Sequence, residues 1–136
     1  MLRTVIIDDE AHIRDTLSKL INLCCPQLEI VGEATSVTSG ISVIGAAHPD
    51  LVFLDINLKD GTGWDLLHAA HPLGFKVIFI SAFDRKTLQA FQLSSVAWLM
   101  KPFDPVQLIE AVKQVECSDA EDFDLCLEAL EANISR

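Results

Sequence analysis

The stretch Leu51-Val52-Phe53-Leu54-Asp55 constrains this chain more than any other. Four apolar residues in succession spell a strand covered on both faces, because a strand with one wet face alternates apolar and polar residues. Such strands belong to parallel sheets with helices packed on each side. Asp55 then falls where the strand emerges at the sheet edge. Taken alone it reads equally well as a turn residue and as a group that does chemistry there.

Other short apolar runs share the pattern: Val5 to Ile7, Leu28 to Val31, Val77 to Ile80 and Val96 to Leu99. Their starts lie about 20 to 25 residues apart, the spacing of a repeating strand–helix unit. Counted in chain order with Leu51 to Leu54 as the third, the first, third and fourth runs are apolar throughout, as central strands are. The second, Glu29-Ile30-Val31-Gly32-Glu33, has acids at both ends and fits an edge; the fifth, with Ala97 and Trp98, fits the other edge. The expected fold is a doubly wound (βα)5 sandwich of three layers, flavodoxin-like, with a parallel sheet in the order 2-1-3-4-5.

Helices are predicted between the strands. Glu10 to Cys25 carries Ile13, Leu17, Leu20, Ile21 and Cys24 on one stripe before Pro26 stops it. Val37 to Ala47 is a second, Trp64 to Ala70 a third after the turn Lys59-Asp60-Gly61-Thr62-Gly63, and Lys86 to Leu93 a fourth. Asp104-Pro105 opens the fifth, with Asp as N-cap and Pro at the first helical position. Its expected buried stripe is Val106, Ile109, Val112 and Val115. Residues 1–116 make one domain on this reading. Residues 117–136, with the capping-box spacing Ser118-x-x-Glu121, form an acidic helix or a linker toward a further domain.

A parallel sheet gathers the carboxyl ends of its strands at one edge. Here those ends carry Asp8-Asp9-Glu10, Asp55-Ile56-Asn57, Ser81-Ala82 and Lys101-Pro102. Two carboxylates 4 Å apart repel by about 4 kcal/mol at an effective dielectric of 20, so three ionised together call for a cation. Hard oxygen ligands of this kind suit Mg²⁺. With a metal bound, Asp55 can stay ionised and attack phosphorus, Lys101 can offset phosphoryl charge, and the Ser81 hydroxyl can donate to a phosphoryl oxygen. Each residue alone has a plain structural role; all at successive strand ends of an apolar scaffold point to one pocket.

The segments Val5-Ile6-Ile7-Asp8-Asp9-Glu10, Asp50 to Ile56, Gly61-x-Gly63, Ile80-Ser81-Ala82 and Lys101-Pro102-Phe103 together resemble the receiver domain of two-component response regulators. The resemblance covers residues 2–116. It implies Asp55 as phospho-acceptor and Asp8 and Asp9 as the acidic pair, with Asp9 the direct Mg²⁺ ligand and Asp8 acting partly through water. It further implies a metal ligand in the Asn57 backbone carbonyl, Ser81 as the switch hydroxyl and Lys101 as the phosphoryl-binding lysine before a cis peptide bond. Trp98 falls at the switch aromatic, and repacking of the Phe83 loop accompanies it. A sensor histidine kinase is the implied donor. The face made by the fourth helix, fifth strand and fifth helix is the implied output and homodimer surface. The stretches Asp55-Ile56-Asn57-Leu58 and Gly63-Trp64-Asp65-Leu66-Leu67 are similar to regulators that carry a LytTR-type DNA-binding domain, which implies transcription regulation through a domain beyond this chain.

Other readings are weaker. Phosphatases that work through an aspartyl phosphate place a second Asp two residues after the nucleophile, and Asn57 stands there. A flavin-binding domain would need a Ser/Thr/Gly-rich first loop, and Asp8-Asp9-Glu10 would repel its phosphate. A switch rather than a turnover enzyme is expected. The net charge of −10 opposes direct nucleic-acid or anionic-membrane binding by this chain. The start, Met1 to Thr4, does not read as a signal peptide, and no apolar run approaches the roughly 20 residues of a membrane span. Cys24, Cys25, Cys117 and Cys126 form no CxxC pair and read as free thiols of a cytoplasmic protein. His68 and His71 read as surface histidines.

Overall fold

The computed structural model describes residues 1–70, 74–82 and 97–116. The predicted fourth helix, Phe83, and the acidic segment 117–136 with its capping box lie outside the described residues, as do His71, Cys117 and Cys126.

In chain order the elements are β1 (Leu2–Ile7), α1 (Ala11–Cys24), β2 (Leu28–Ala34), α2 (Val37–Ala47) and β3 (Leu51–Asp55). Two very short strands follow, β4 (Asn57–Leu58) and β5 (Gly61–Thr62), then α3 (Gly63–Ala69), β6 (Lys76–Ser81), β7 (Ala97–Met100) and α4 (Pro105–Glu116). The main sheet is parallel in the order β2-β1-β3-β6-β7. β4 and β5 pair only with each other, as an antiparallel hairpin. They raise the strand count, but the spatial order of the five sheet strands is the expected one.

Alternation along the buried strands divides the core in two. Ile6, Leu51, Phe53, Ile78 and Ile80 pack with Leu17 and Ile21 of α1 and Leu108 and Val112 of α4. Val5, Ile7, Val52, Leu54 and Phe79 pack on the other face with Leu66 of α3 and Val43 and Ile44 of α2. All five residues of β3 are buried, so the run that reads as covered on both faces lies between both layers. It pairs with β1 on one side and β6 on the other.

Two expectations need correction. β2 extends to Ala34 rather than stopping at Val31, because it continues its ladder beyond a register shift between Thr4 and Val5. The buried stripe of α4 is Leu108, Ala111, Val112 and Val115, whereas Val106 is 61% exposed. At 100° per residue Val106 lies about 200° around the helix from Leu108, so it cannot share that stripe. Ile109 is half-buried at its margin. The Asp104 cap is present: its Oδ1 accepts from the Val106 N–H at 2.9 Å.

Candidate functional site

The loop after β1 is fixed by three hydrogen bonds. The Asp8 N–H donates to the Ala34 carbonyl at 3.1 Å, Asp8 Oδ1 accepts from the Glu10 N–H at 2.9 Å, and Arg14 Nη1 donates to the Asp8 carbonyl at 2.7 Å. Arg14 Nε also lies 3.5 Å from Glu33 Oε1, so α1 and β2 both hold this turn. At the tip of β3, Asp55 Oδ1 accepts from the Asn57 N–H at 3.2 Å. A Cβ on Gly63 would come within 2.9 Å of the Asp55 carbonyl, so only glycine lets α3 start against the end of this strand. The Lys101 N–H donates to the Ser81 carbonyl at 2.9 Å, which ties the ends of β6 and β7. The Lys101-Pro102 peptide is cis.

These elements converge on one lysine. Lys101 Nζ lies 3.0 Å from Asp8 Oδ2, 3.3 Å from Asp55 Oδ2 and 3.8 Å from Glu10 Oε2. The Asp8 side chain is fully buried and Asp55 is only 7% exposed. Asp8 Oδ2 accepts no well-aligned hydrogen bond; its contact with Lys101 is an ion pair. Burial, reinforced by the charge of Asp8, pushes the Asp55 carboxyl up to about 6, although Lys101 and the Asn57 N–H oppose the shift. Burial would lower the Lys101 ammonium, but the two carboxylates outweigh it and hold Lys101 above the usual lysine range.

Asp8, Asp9 and Asp55 each present a carboxylate oxygen within 4.8 Å of the others. An all-oxygen donor set with a buried carboxylate oxygen lacking an aligned donor fits a hard divalent cation.

Ser81 is buried at the end of β6, one residue past Ile80, which pairs with Asp55. Trp98 is half-buried and stacks on Phe79 with centroids 4.8 Å apart and planes at 24°. Phe79 in turn meets Trp64, at the start of α3, at 4.8 Å. The structure thus brings Asp8, Asp9, Asp55 and Lys101 together and sets the Asn57 backbone against Asp55. Arg14 and the Lys101 contact of Glu10 escape sequence reasoning: Arg14 acts on a backbone carbonyl, for which no residue pattern exists.

Against known proteins, the family model described as the response regulator receiver domain matches residues 4–113. The chain belongs to the response regulator receiver family. A response regulatory protein of Vibrio parahaemolyticus is 37% identical over 116 residues, covering 85% of this chain and 48% of that protein. The sensory transduction protein LytT of Bacillus cereus is 32% identical over 116 residues, covering 84% and 47%. The receiver therefore spans about half the length of the curated relatives it matches. Among solved structures, the receiver domain of AraT from Geobacillus stearothermophilus superposes with a TM-score of 0.71 at 27% identity, covering 85% of this chain and 93% of that one. The receiver domain of the NarL regulator of Mycobacterium tuberculosis, at 24% identity and a TM-score of 0.72 over 86% and 98%, shares the fold. Among the described residues, no helix is long and apolar enough to cross a membrane.

Proposed function

We propose that this receiver accepts a phosphoryl group on Asp55 from the phosphohistidine of a sensor histidine kinase and holds it as a signal. What supports the reading is the half-buried Lys101, whose ammonium is set 3.0 and 3.3 Å from the carboxylates of Asp8 and Asp55. An Asp55 oxygen attacks phosphorus, the bond from phosphorus to the imidazole nitrogen breaks, and its electron pair stays on the imidazole. Asp8, Asp9, Asp55 and the Asn57 backbone carbonyl would hold Mg²⁺, which would neutralise charge on the transferring group. Lys101 exchanges its contact with Asp55 for a phosphoryl oxygen, and Ser81 donates to another. The new group adds about −1.5 to −2 charge. Ser81, the Phe83 loop and Trp98 then repack, and a pre-existing equilibrium shifts at the face formed by the predicted fourth helix, β7 and α4. That face is the dimer or effector surface.

Asn57 stands where a hydrolytic relative would place an acid/base, so the phosphoryl group persists and the domain is a switch, not a turnover enzyme. Residues 1–116 are the receiver and 117–136 the connection to an effector. The LytT relatives favour a DNA-binding effector and transcription regulation in the cytoplasm. The chain, at a net charge of −10 over its 136 residues, leaves DNA contact to that effector.

The test is intact-mass measurement after incubation with Mg²⁺ and a small acyl-phosphate donor. One base-labile phosphoryl group is expected in the wild type and none in Asp55→Asn. Sustained turnover of assorted phosphoesters would overturn the switch in favour of a phosphatase.

A further inference from the structure

Asp60 is exposed, yet it is bonded to another element. Its Oδ1 accepts from the Val37 N–H at 2.7 Å, and its Oδ2 accepts from the Thr38 N–H at 3.1 Å and from Thr38 Oγ1 at 3.0 Å. These donors begin α2. That helix already has its own cap, since Ser36 Oγ accepts from the Ser39 N–H at 3.1 Å within a reciprocal capping box. Asp60 takes the N–H groups that Ser36 leaves over, where the helix dipole favours an anion. The Val37 and Thr38 N–H groups hold its carboxyl below the usual carboxylate range.

The other end of the link is the phosphorylation site. Asp60 lies in the two-residue turn of the β4–β5 hairpin, where Asn57 pairs with Thr62 and Leu58 with Gly61. A hairpin of two residues per strand has no stability of its own, so outside anchors must set its position. One anchor is α3, where Thr62 and Asp65 cap each other: the Thr62 N–H donates to Asp65 Oδ2 at 2.8 Å, and the Asp65 N–H donates to Thr62 Oγ1 at 3.2 Å. The other is Asp60 on α2. Gly61 between them has φ +157°, and a Cβ there would sit 2.8 Å from Asp65 Oδ2 and 3.2 Å from Val37 Cγ2. The hairpin is therefore pressed between the first turns of two helices. Asn57, three residues before Asp60, makes the N–H bond to the Asp55 carboxylate.

We propose that Asp60 is a positioning residue for the acceptor site. Its bridge to the first turn of α2 fixes the hairpin that sets the Asn57 backbone against Asp55 and presents it to a divalent cation. This rests on reading Asp55 as the metal-assisted acceptor. Partners that orient a ligand without touching the metal commonly contribute 10- to 100-fold to affinity.

The experiment measures Mg²⁺ affinity of the full chain by calorimetric titration and by the Mg²⁺-dependent rise in melting temperature, each variant against its own Mg²⁺-free state. Asp60→Ala is expected to weaken Mg²⁺ binding about tenfold. Thr38→Val, which loses one of the three bonds, should weaken it less, and Asp60→Asn should recover part of the loss because its amide oxygen still accepts from Val37. The half-saturating Mg²⁺ for phosphoryl uptake should rise by the same factor, while the rate at saturating Mg²⁺ stays near that of the wild type. Ser36→Ala is the control: it lowers the melting temperature by uncapping α2 but leaves Mg²⁺ affinity unchanged. Wild-type affinity in Asp60→Ala, or an equal loss in Ser36→Ala, would overturn the positioning role alone. Should Asp60→Ala not fold, Asp60→Asn and Thr38→Val carry the same comparison. A wild type that binds no Mg²⁺ and gains no phosphoryl group would overturn the acceptor reading and the positioning role with it.

Discussion

Two lysines stand at opposite ends of the sheet, and their surroundings differ in kind. Lys101, just past β7, faces three carboxylates, two of them buried. Lys76, the first residue of β6, donates to the Val115 carbonyl at 2.8 Å and so closes the C-terminal end of α4. Beside it Gln27 donates to Glu116 Oε1 at 2.8 Å. At that end Lys76 and Gln27 each meet a partner suited to them, and a cation meets the negative end of a helix. At the Lys101 end acids are packed closer than folding alone would favour. Concentrating like charge in a buried edge destabilises the fold, and it persists where something other than stability is served.

Removing Lys101 should break that end most severely. Lys101→Ala leaves Asp8 and Asp55 buried without a counter-charge, and losing one partner of a buried ion pair costs about 3 kcal/mol. Urea unfolding at pH 7 without divalent cations should show this loss. It should shrink as pH falls through about 6, where Asp55 takes up a proton and no longer needs the counter-charge. A variant as stable as the wild type at pH 7 would mean that water reaches the acids and that the buried cluster is weaker than its geometry implies.

The next effect is a pH slope with an unusual sign. Asp55 ionises near 3.8 when unfolded and about 6 when folded. Between those values the folded chain holds one proton more than the unfolded chain, so stability from this group falls as pH rises. Below that window both states are protonated; above it the full penalty applies. A shift of this size corresponds to about 2 to 3 kcal/mol. Asp55→Asn should therefore be more stable than wild type at pH 7 and lose the advantage toward pH 4, with Mg²⁺ absent throughout. A stability difference that does not change with pH would show that Asp55 ionises normally in the fold.

The contrast between the two ends also separates what the sequence made legible from what it did not. The uninterrupted run Leu51 to Leu54 marked the central strand because burial on both faces removes every polar residue. Asp8, Asp55, Ser81 and Lys101 were legible as a set because a parallel sheet turns positions at successive strand ends into neighbours. The Lys76–Val115 bond was not legible: its acceptor is a backbone carbonyl 39 residues away. Arg14 on the Asp8 carbonyl escaped for the same reason. Asp60 looked like an ordinary turn residue, since nothing in Lys59-Asp60-Gly61 says that a different helix supplies its donors. Val106 was misplaced because valines at helical spacing do not disclose which phase the sheet will select.

The smallest effect belongs to Lys76 and sharpens the comparison from the quiet end. Lys76→Met keeps the aliphatic stem and deletes one hydrogen bond to a helix terminus, which should cost about 1 kcal/mol. Its loss should be the same at pH 5 and pH 7 and with or without Mg²⁺, and phosphoryl uptake should be unchanged. These invariances matter because Lys76 and Ser81 are the two ends of one six-residue strand. If Lys76→Met did change the half-saturating Mg²⁺ or the extent of phosphorylation, β6 would be carrying the state of one end to the other. The ends would then be coupled through the strand that bears Ser81, the proposed switch hydroxyl, and α4, held by Lys76 at its last turn, would be the element that receives the signal.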